Sequence, residues 1–383
     1  MPWRVSKVVN ERMRFVVRLE DGERMTDLCR EFGISRKTGY KILNRFRKLG
    51  AEALGDFSRR PHRNPNRTPV EIEELVLECR FTQPTWGPKK LRAYLQRTQP
   101  GVAIPAASTI GELLKRKGLV RPRRKRRRAS PTPLDQLTKA TAPNVVWCAD
   151  YKGQFRMKNN QYCYPLTITD QFSRTVLCCE ALENTRTEGA FAAFSHTFRR
   201  YGLPRVIRTD NGSPFASTGL AGLSRLNVWL RRLNIQPERI QPGHPEQNGQ
   251  HERMHLTLKQ DATRPPGANM LHQQELFDGF QDTFNTKRPH EALGMKRPSD
   301  VYTPSSIPFP TVLPMPTYPL FDRCCRVATS GHVYINGWSC HITAALRTEY
   351  VGLREIGHKR WLVQFLGLEL GEADENTKTF TPA

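Results

Sequence analysis

Three carboxylates, each inside its own short signature, are the residues best suited to chemistry in this sequence. They are Asp150 in Trp147-Cys148-Ala149-Asp150, Asp210 in Thr209-Asp210-Asn211-Gly212, and Glu252 in Pro245-Glu246-Gln247-Asn248-Gly249-Gln250-His251-Glu252-Arg253. Hard divalent cations prefer carboxylate oxygens, and Mg2+ keeps water and substrate phosphates beside a few of them. Two such ions roughly 3.5–4 Å apart neutralise both the attacking and the leaving oxygen when a phosphodiester is exchanged. Two short aspartates at strand ends, with a longer glutamate reaching across from a helix, form the minimal set for that task. About a hundred residues separate the first from the last, so the site is assembled only by folding.

Each signature alone is weak. Asp-Asn-Gly is first of all a turn former, Asp150 reads equally as the end of an apolar strand, and Glu252 as one more solvated helix charge. Two other carboxylates compete with them. Glu246 shares a signature with Glu252, but six residues apart the two do not share a helix face. Asp170 lies in a turn between strands and reads as structural.

Charge points to the partner. Sixty Lys and Arg against 36 Asp and Glu give a net charge of +24 over 383 residues, with a pI near 10.0. Such a chain wants a polyanion, and nucleic acid fits better than an anionic membrane surface. No apolar run is long enough to span a bilayer, and the first residues lack a secretory h-region. The expected place is the cytoplasm, on DNA at the nucleoid. Nine cysteines with no paired C-x-x-C spacing read as ordinary buried thiols.

The elements that would position these groups follow from pattern. Residues 1–60 read as a helix-turn-helix: Thr26 caps a short helix carrying Leu28, Cys29 and Phe32. Gly33 turns the chain, and Ser35 caps a recognition helix whose outer face holds Arg36, Lys37, Tyr40 and Lys41. Gly39 inside that helix costs about 1 kcal/mol relative to Ala. Residues 68–120 read as a second helix-turn-helix, winged or plain. Val70, Leu75 and Leu77 begin it, and Ile110, Leu113 and Leu114 lie near its end behind Ser108 or Thr109. Residues 121–142 are a basic linker in which Arg121, Arg123, Arg124 and Lys125 open a run of seven basic residues in eight, suited to DNA phosphates. From 143 to 303 the pattern becomes strand–strand–strand–helix–strand, with a helix starting near Gly249. Six prolines between Pro304 and Pro319 make 304–320 a semi-rigid linker. Residues 321–383, with Asn336-Gly337 as a hairpin turn, read as a small β-barrel. The whole is a multidomain α+β chain.

Taken together, the signatures resemble the integrase-core insertion-sequence transposases, relatives of retroviral integrases in the DDE superfamily. The resemblance lies in Trp147-x-x-Asp150-Tyr151-Lys152-Gly153, in Arg208-Thr209-Asp210-Asn211-Gly212-Ser213-Pro214-Phe215, in Gly243 to His255, and in Asn285-Thr286-Lys287-Arg288-Pro289-His290-x-Ala292-Leu293 with Pro298 and Tyr302. It implies an RNase H-like core, a mixed five-stranded sheet with helices on both faces, carrying Asp150, Asp210 and Glu252 as catalytic and metal-holding residues. The family pattern usually has Gln at the position of Glu246, which favours Glu252. Two divalent ions, Mg2+ with Mn2+ as substitute, are implied, and metal ligation by histidine is disfavoured. Lys259, seven residues after Glu252, matches a lysine that contacts DNA phosphate, and Arg253 is read as holding the loop or the substrate, or as a surface ion pair. His255 is read as orienting a water or as making a structural hydrogen bond. The implied activity is DNA transposition. Water attacks a phosphodiester at the element end, and the released 3′-hydroxyl attacks target DNA in line, within an oligomer of at least two chains. The rivals are a structure-selective nuclease and a non-catalytic, transposase-derived regulator that binds DNA by sequence.

Overall fold

The computed structural model describes residues 8–57, 67–120, 137–217 and 219–383. The basic run holding Arg121, Arg123, Arg124 and Lys125 lies outside them. The chain divides into two compact units, residues 1–68 and 69–383.

The first unit is three helices, α1 (Val8–Glu20), α2 (Met25–Glu31) and α3 (Arg36–Leu49). They close over Phe15, Val16, Leu28, Cys29, Ile42, Leu43 and Leu54. Gly33, at φ 63°, makes the turn between α2 and α3, and Ser35 caps α3 by accepting the Thr38 N–H at 3.2 Å. Thr26 is not the cap of α2. The helix starts at Met25 behind Arg24, which makes no side-chain cap bond, because Met25 is drawn in beneath Cys29, sulfur to sulfur at 3.6 Å. Gly39 has a packing reason: a Cβ there would lie 2.8 Å from both Cys29 Sγ and Met25 Sδ. The glycine that weakens α3 as an isolated helix is what lets α3 approach α2.

The second unit opens with α4 (Val70–Thr82), α5 (Pro88–Thr98) and α6 (Ala107–Arg116) around Val76, Trp86, Leu91, Leu95, Ile110 and Leu114. Pro88 sits at the first turn of α5, where its missing N–H costs nothing. Val70 is exposed, and α4 buries Glu73, Val76 and Cys79 instead. Ala106 occupies the cap position of α6 rather than Ser108 or Thr109. No wing strand accompanies these helices among the described residues.

The mixed sheet follows: β1 (Val146–Tyr151), β2 (Phe155–Arg156), β3 (Tyr162–Asp170), β4 (Val176–Leu182), β5 (Val206–Thr209) and β6 (Gln236–Arg239). The main path runs β4-β3-β1-β5-β6; β3 is antiparallel to β1 and β4, while β5 is parallel to β1 and β6, and the two-residue β2 adds to β3. Helices α7 (Thr187–Tyr201) and α8 (Arg225–Arg232) cover one face through Phe194, Phe198, Leu226 and Leu230. On the other face lie α9 (Gly249–Ala262) and α10 (Met270–Asp282), through Met254, Leu258, Phe277 and Phe280. This is an integrase-like RNase H arrangement. Strand alternation sends Trp147 and Ala149 toward α7, which leaves Asp150 for the α9 face. Thr167 and Thr169 of β3 alternate in the same way with Leu166 and Ile168.

The proline-rich segment is a strap rather than a spacer. Ser305 N–H donates to Tyr201 O and Leu203 N–H to Ile307 O, each at 2.8 Å, while Phe309 packs against Phe198 and Trp229. Gly202, at φ 75°, permits this: a Cβ there would sit 2.7 Å from the carbonyl oxygens of Ser305 and Ile307. The chain ends in a five-stranded antiparallel sheet, ordered β13-β12-β11-β10-β7, and a hairpin. The sheet strands are β7 (Arg323–Arg326), β10 (Tyr350–Gly357), β11 (Arg360–Phe365), β12 (Leu368–Asp374) and β13 (Thr379–Pro382); β8 (His332–Ile335) and β9 (Trp338–His341) make the hairpin across Asn336-Gly337. The sheet does not close into a hydrogen-bonded barrel. Its edge strands β7 and β13 are instead bridged by contact with the β8–β9 hairpin. Leu223 and Val228, from the α8 region, join the apolar cluster of this tail.

Candidate active site

Register brings the first two carboxylates together. Ala149 of β1 pairs with Thr209 of β5 in parallel, so Asp150 and Asp210 are the next residues on neighbouring strands. Asp210 is steadied by its own turn, accepting the Gly212 N–H at 3.0 Å, while Asn211 donates to Ile240 O at 2.8 Å. Glu252 stands in the first turn of α9, exposed. The loop before it is clamped between side chains: Gln241 N–H donates to Gln247 Oε1 at 2.8 Å, and Gln247 Nε2 returns a bond to Gln241 Oε1 at 3.1 Å.

The charges of Asp210 and Glu252 both reach Asp150. The Asp150 carboxyl is pushed up to about 7, first by burial, then by the negative charge of Asp210, with Glu252 adding to it. No lysine or arginine forms an ion pair with Asp150 among the described residues; the side chain of His255 approaches it, Nδ1 to Oδ2 at 3.7 Å. The Lys152 ammonium is pushed below its usual value by burial and by the neighbouring charge of Lys259. Three carboxylates, two of them opposing ionisation of the half-buried third, which is held in no ion pair with a lysine or arginine among the described residues, are a donor set that fits divalent cations. Lys152 and Lys259 stand beside them.

Beneath Asp150 lies a polar cluster that sequence reasoning did not isolate. His251 and His255, one turn apart on the inner face of α9, are both buried. The Thr167 hydroxyl contacts Nε2 of each at 2.7 Å and donates to Asp150 O at 3.1 Å; Thr169 Oγ1 lies 2.8 Å from His251 Nδ1. Burial holds His251 well below the usual imidazole range and brings His255 down to about 3, helped by Lys152. Asp150, His251 and His255 place ligand atoms within 4.8 Å of one another. The usable clue was Thr167 and Thr169 alternating on a strand that faces a His-x-x-x-His helix.

The other expected residues fall as follows. Arg36, Lys37, Tyr40 and Lys41 are all exposed on α3, and Arg253 and Lys259 are exposed on α9. Arg253 makes no ion pair among the described residues. His255 does not share the exposed face of Glu252 and Lys259, but turns inward to Thr167. Glu246 faces away to His244 at 2.8 Å. Asp170 is buried and structural, accepting from Ser173 N–H, Ser173 Oγ and Asn144 N–H. All nine cysteines are free thiols. Among the described residues no helix is long and apolar enough to cross a membrane.

Comparison with known proteins agrees with this layout. Residues 140–245 and 233–298 match integrase core domain models, residues 11–62 a helix-turn-helix domain, and residues 38–114 a homeodomain-like domain. The chain is 26% identical over 239 residues to an uncharacterized 31.7 kDa protein of insertion element IS407 from Burkholderia multivorans, spanning 62% of this chain and 82% of that protein. It is 28% identical over 176 residues to the transposase of insertion sequence element IS904 from Lactococcus lactis, covering 44% of this chain and 66% of the relative. The HTLV-2 integrase catalytic core domain, solved with magnesium, aligns over 43% of this chain and all of its own length, at 17% identity and a TM-score of 0.35. Matching integrase core models behind helix-turn-helix models, the chain is similar to insertion-sequence transposases with an integrase-like core.

Proposed function

We propose that this chain is a DNA transposase that binds the ends of its element and joins them to target DNA by metal-dependent hydrolysis and strand transfer. One observation carries the reading: the half-buried Asp150 feels the negative charge of both Asp210 and Glu252 and makes no ion pair with a lysine or arginine among the described residues, its positive influence being Lys152, with Lys259 beside that lysine. Asp150, Asp210 and Glu252 would hold two divalent ions, Mg2+ or Mn2+, which when bound supply charge neutralisation at the exchanged phosphodiester. The protein's own part is positioning. The Asp210–Gly212 turn and the Gln241–Gln247 clamp fix two of the carboxylates, and β1 fixes the third. Lys152, Lys259 and Arg253 offer positive charge to the DNA backbone on either side. Because one phosphodiester replaces another, joining needs no nucleotide cofactor.

At the other end of the sequence, Arg36, Lys37, Tyr40 and Lys41 would face the major groove, as a recognition helix does. Residues 1–60 and 68–120 are read as two DNA-binding domains, 121–142 as a basic linker in which Arg121, Arg123, Arg124 and Lys125 meet phosphates, 143–303 as the catalytic domain, and 321–383 as a domain of antiparallel strands behind the 304–320 strap. Two element ends must be held at once, so at least a dimer on double-stranded DNA, in the cytoplasm at the nucleoid, is part of the reading.

The test is strand transfer and end nicking on a supercoiled plasmid carrying the element ends, with Mg2+ or Mn2+. Joined products should vanish in Asp210→Asn and in Glu252→Gln while DNA binding survives. Sequence-specific binding with no cleavage by the unaltered protein would turn the reading to a transposase-derived regulator.

A further inference from the structure

Three contacts converge on the Thr167 hydroxyl, which has one proton to give. Its oxygen lies 3.1 Å from the Asp150 carbonyl oxygen and 2.7 Å from Nε2 of each of His251 and His255. A carbonyl oxygen only accepts, so the hydroxyl proton goes there. Both imidazoles must then bring an N–H from Nε2, and the two lone pairs on the Thr167 oxygen accept them. Both rings are buried, and an imidazole that carries its one proton on Nε2 leaves Nδ1 bare. His251 uses its bare Nδ1 on the Thr169 hydroxyl at 2.8 Å. His255 has no such donor, and its Nδ1 lone pair faces Asp150 Oδ2 at 3.7 Å. Once Asp150 is ionised, as a metal ligand must be, two acceptors face each other there and repel unless positive charge lies between them.

We propose that Nδ1 of His255 is a metal ligand, so that the divalent ion on Asp150 has one nitrogen among its oxygen donors. This rests on reading Asp150 as a metal-holding carboxylate. An ion about 2.0–2.2 Å from each atom spans such a gap at a wide ligand–metal–ligand angle. Imidazole suits Fe2+, Ni2+, Cu2+ and Zn2+, with Mn2+ at the weak end of the same series, whereas Mg2+ favours oxygen throughout, so one nitrogen donor tilts the site from Mg2+ toward the transition metals, Mn2+ included. Thr167 and His251 are positioning residues: by claiming the Nε2 proton of His255 they fix which nitrogen is bare. A short hydroxyl opposite Asp150, with two histidines one turn apart on the facing helix, is what this arrangement requires.

The full-length protein loaded with Mn2+ alone tests this by pulsed electron paramagnetic resonance. A histidine nitrogen bound to Mn2+ modulates the electron spin echo, and growth on histidine carrying the heavy nitrogen isotope changes that modulation. We expect the modulation in the unaltered protein and its loss in His255→Asn, with Mn2+ affinity falling about 10- to 100-fold by calorimetry and Mg2+ affinity changing far less. Oxygen-only coordination of Mn2+ in the unaltered protein overturns the proposal without recourse to any variant. So does Mn2+ binding that Asp210→Asn leaves untouched. Strand transfer in Mg2+ is scored separately: an oxygen-only spectrum beside active joining removes the nitrogen ligand and leaves the transposase, while nitrogen modulation without joining does the reverse.

Discussion

A carboxyl pushed up to about 7 holds its proton through much of the range in which a cation competes for the same oxygens. The folded value lies above the unfolded one, so the metal-free fold favours the protonated form. Its contribution to stability is present in acid and lost as pH rises from the ordinary carboxylate range through about 7. Metal binding runs the other way, since the ligand must be deprotonated. Apparent Mn2+ affinity should therefore rise by up to about tenfold per pH unit below 7 and level off above it, measured by calorimetry from about pH 5 to about pH 8. A flat profile would remove Asp150 from the ligand set. Thr167→Val, nearly the same shape, strands the Asp150 carbonyl and two imidazole N–H groups; chemical denaturation should report a loss of about 1–3 kcal/mol. The three acidic signatures could be read from the sequence because each is local and short. The threonine–histidine cluster could not, because His251 and His255 mean little until β3 lies opposite α9.

Elements were legible where period and punctuation agreed. Strands β1, β3 and β4, helix α7 and the Asn336-Gly337 hairpin all lie close to where apolar runs and turn residues put them. Helix entries were not legible at α2 and α6, because neither is capped by a side chain and core packing sets the start. Gly39 shows the same override, since its cost is local and its benefit lies in another helix. Gly39→Ala should destabilise the first unit by about 1–3 kcal/mol through overpacking against Cys29 and Met25, seen as a lower melting temperature together with weaker DNA binding. Arg208 ties elements as a hub. Almost wholly buried, it reaches Glu238 Oε2 at 2.6 Å, Gln171 Oε1 at 3.0 Å and Thr138 O at 2.7 Å, joining β5 to β6 and to the chain entering the sheet. Arg208→Ala leaves Glu238 without its partner and should cost about 3–5 kcal/mol in urea unfolding. A smaller loss would mean that water replaces the guanidinium.

For the whole molecule the decisive quantity is charge. A chain of net charge +24 should bind DNA with steep salt dependence, weakening about a thousandfold or more between about 50 and 200 mM salt if six to ten phosphates are neutralised. Lys37→Ala and Lys41→Ala should each reduce the logarithmic slope by about one if they touch phosphate, and by nothing if they face solvent; filter binding across a salt series decides. Composition and motif order made the catalytic and DNA-binding parts readable in the sequence. The assembly of the tail was hidden, because proline content reports stiffness and not what a stiff segment lies against.

That strap ties the fate of the catalytic core to residues far from its chemistry. Phe309 covers Phe198 and Trp229, and the backbone bonds at Ser305 and Ile307 belong to the same seam. A premature stop after residue 303 would bare an aromatic furrow and two unpaired backbone groups, at Tyr201 and Leu203, beside an otherwise intact sheet. Such truncated chains should be recovered as aggregates and not as soluble cores, a defect that no change within the carboxylate cluster would repair.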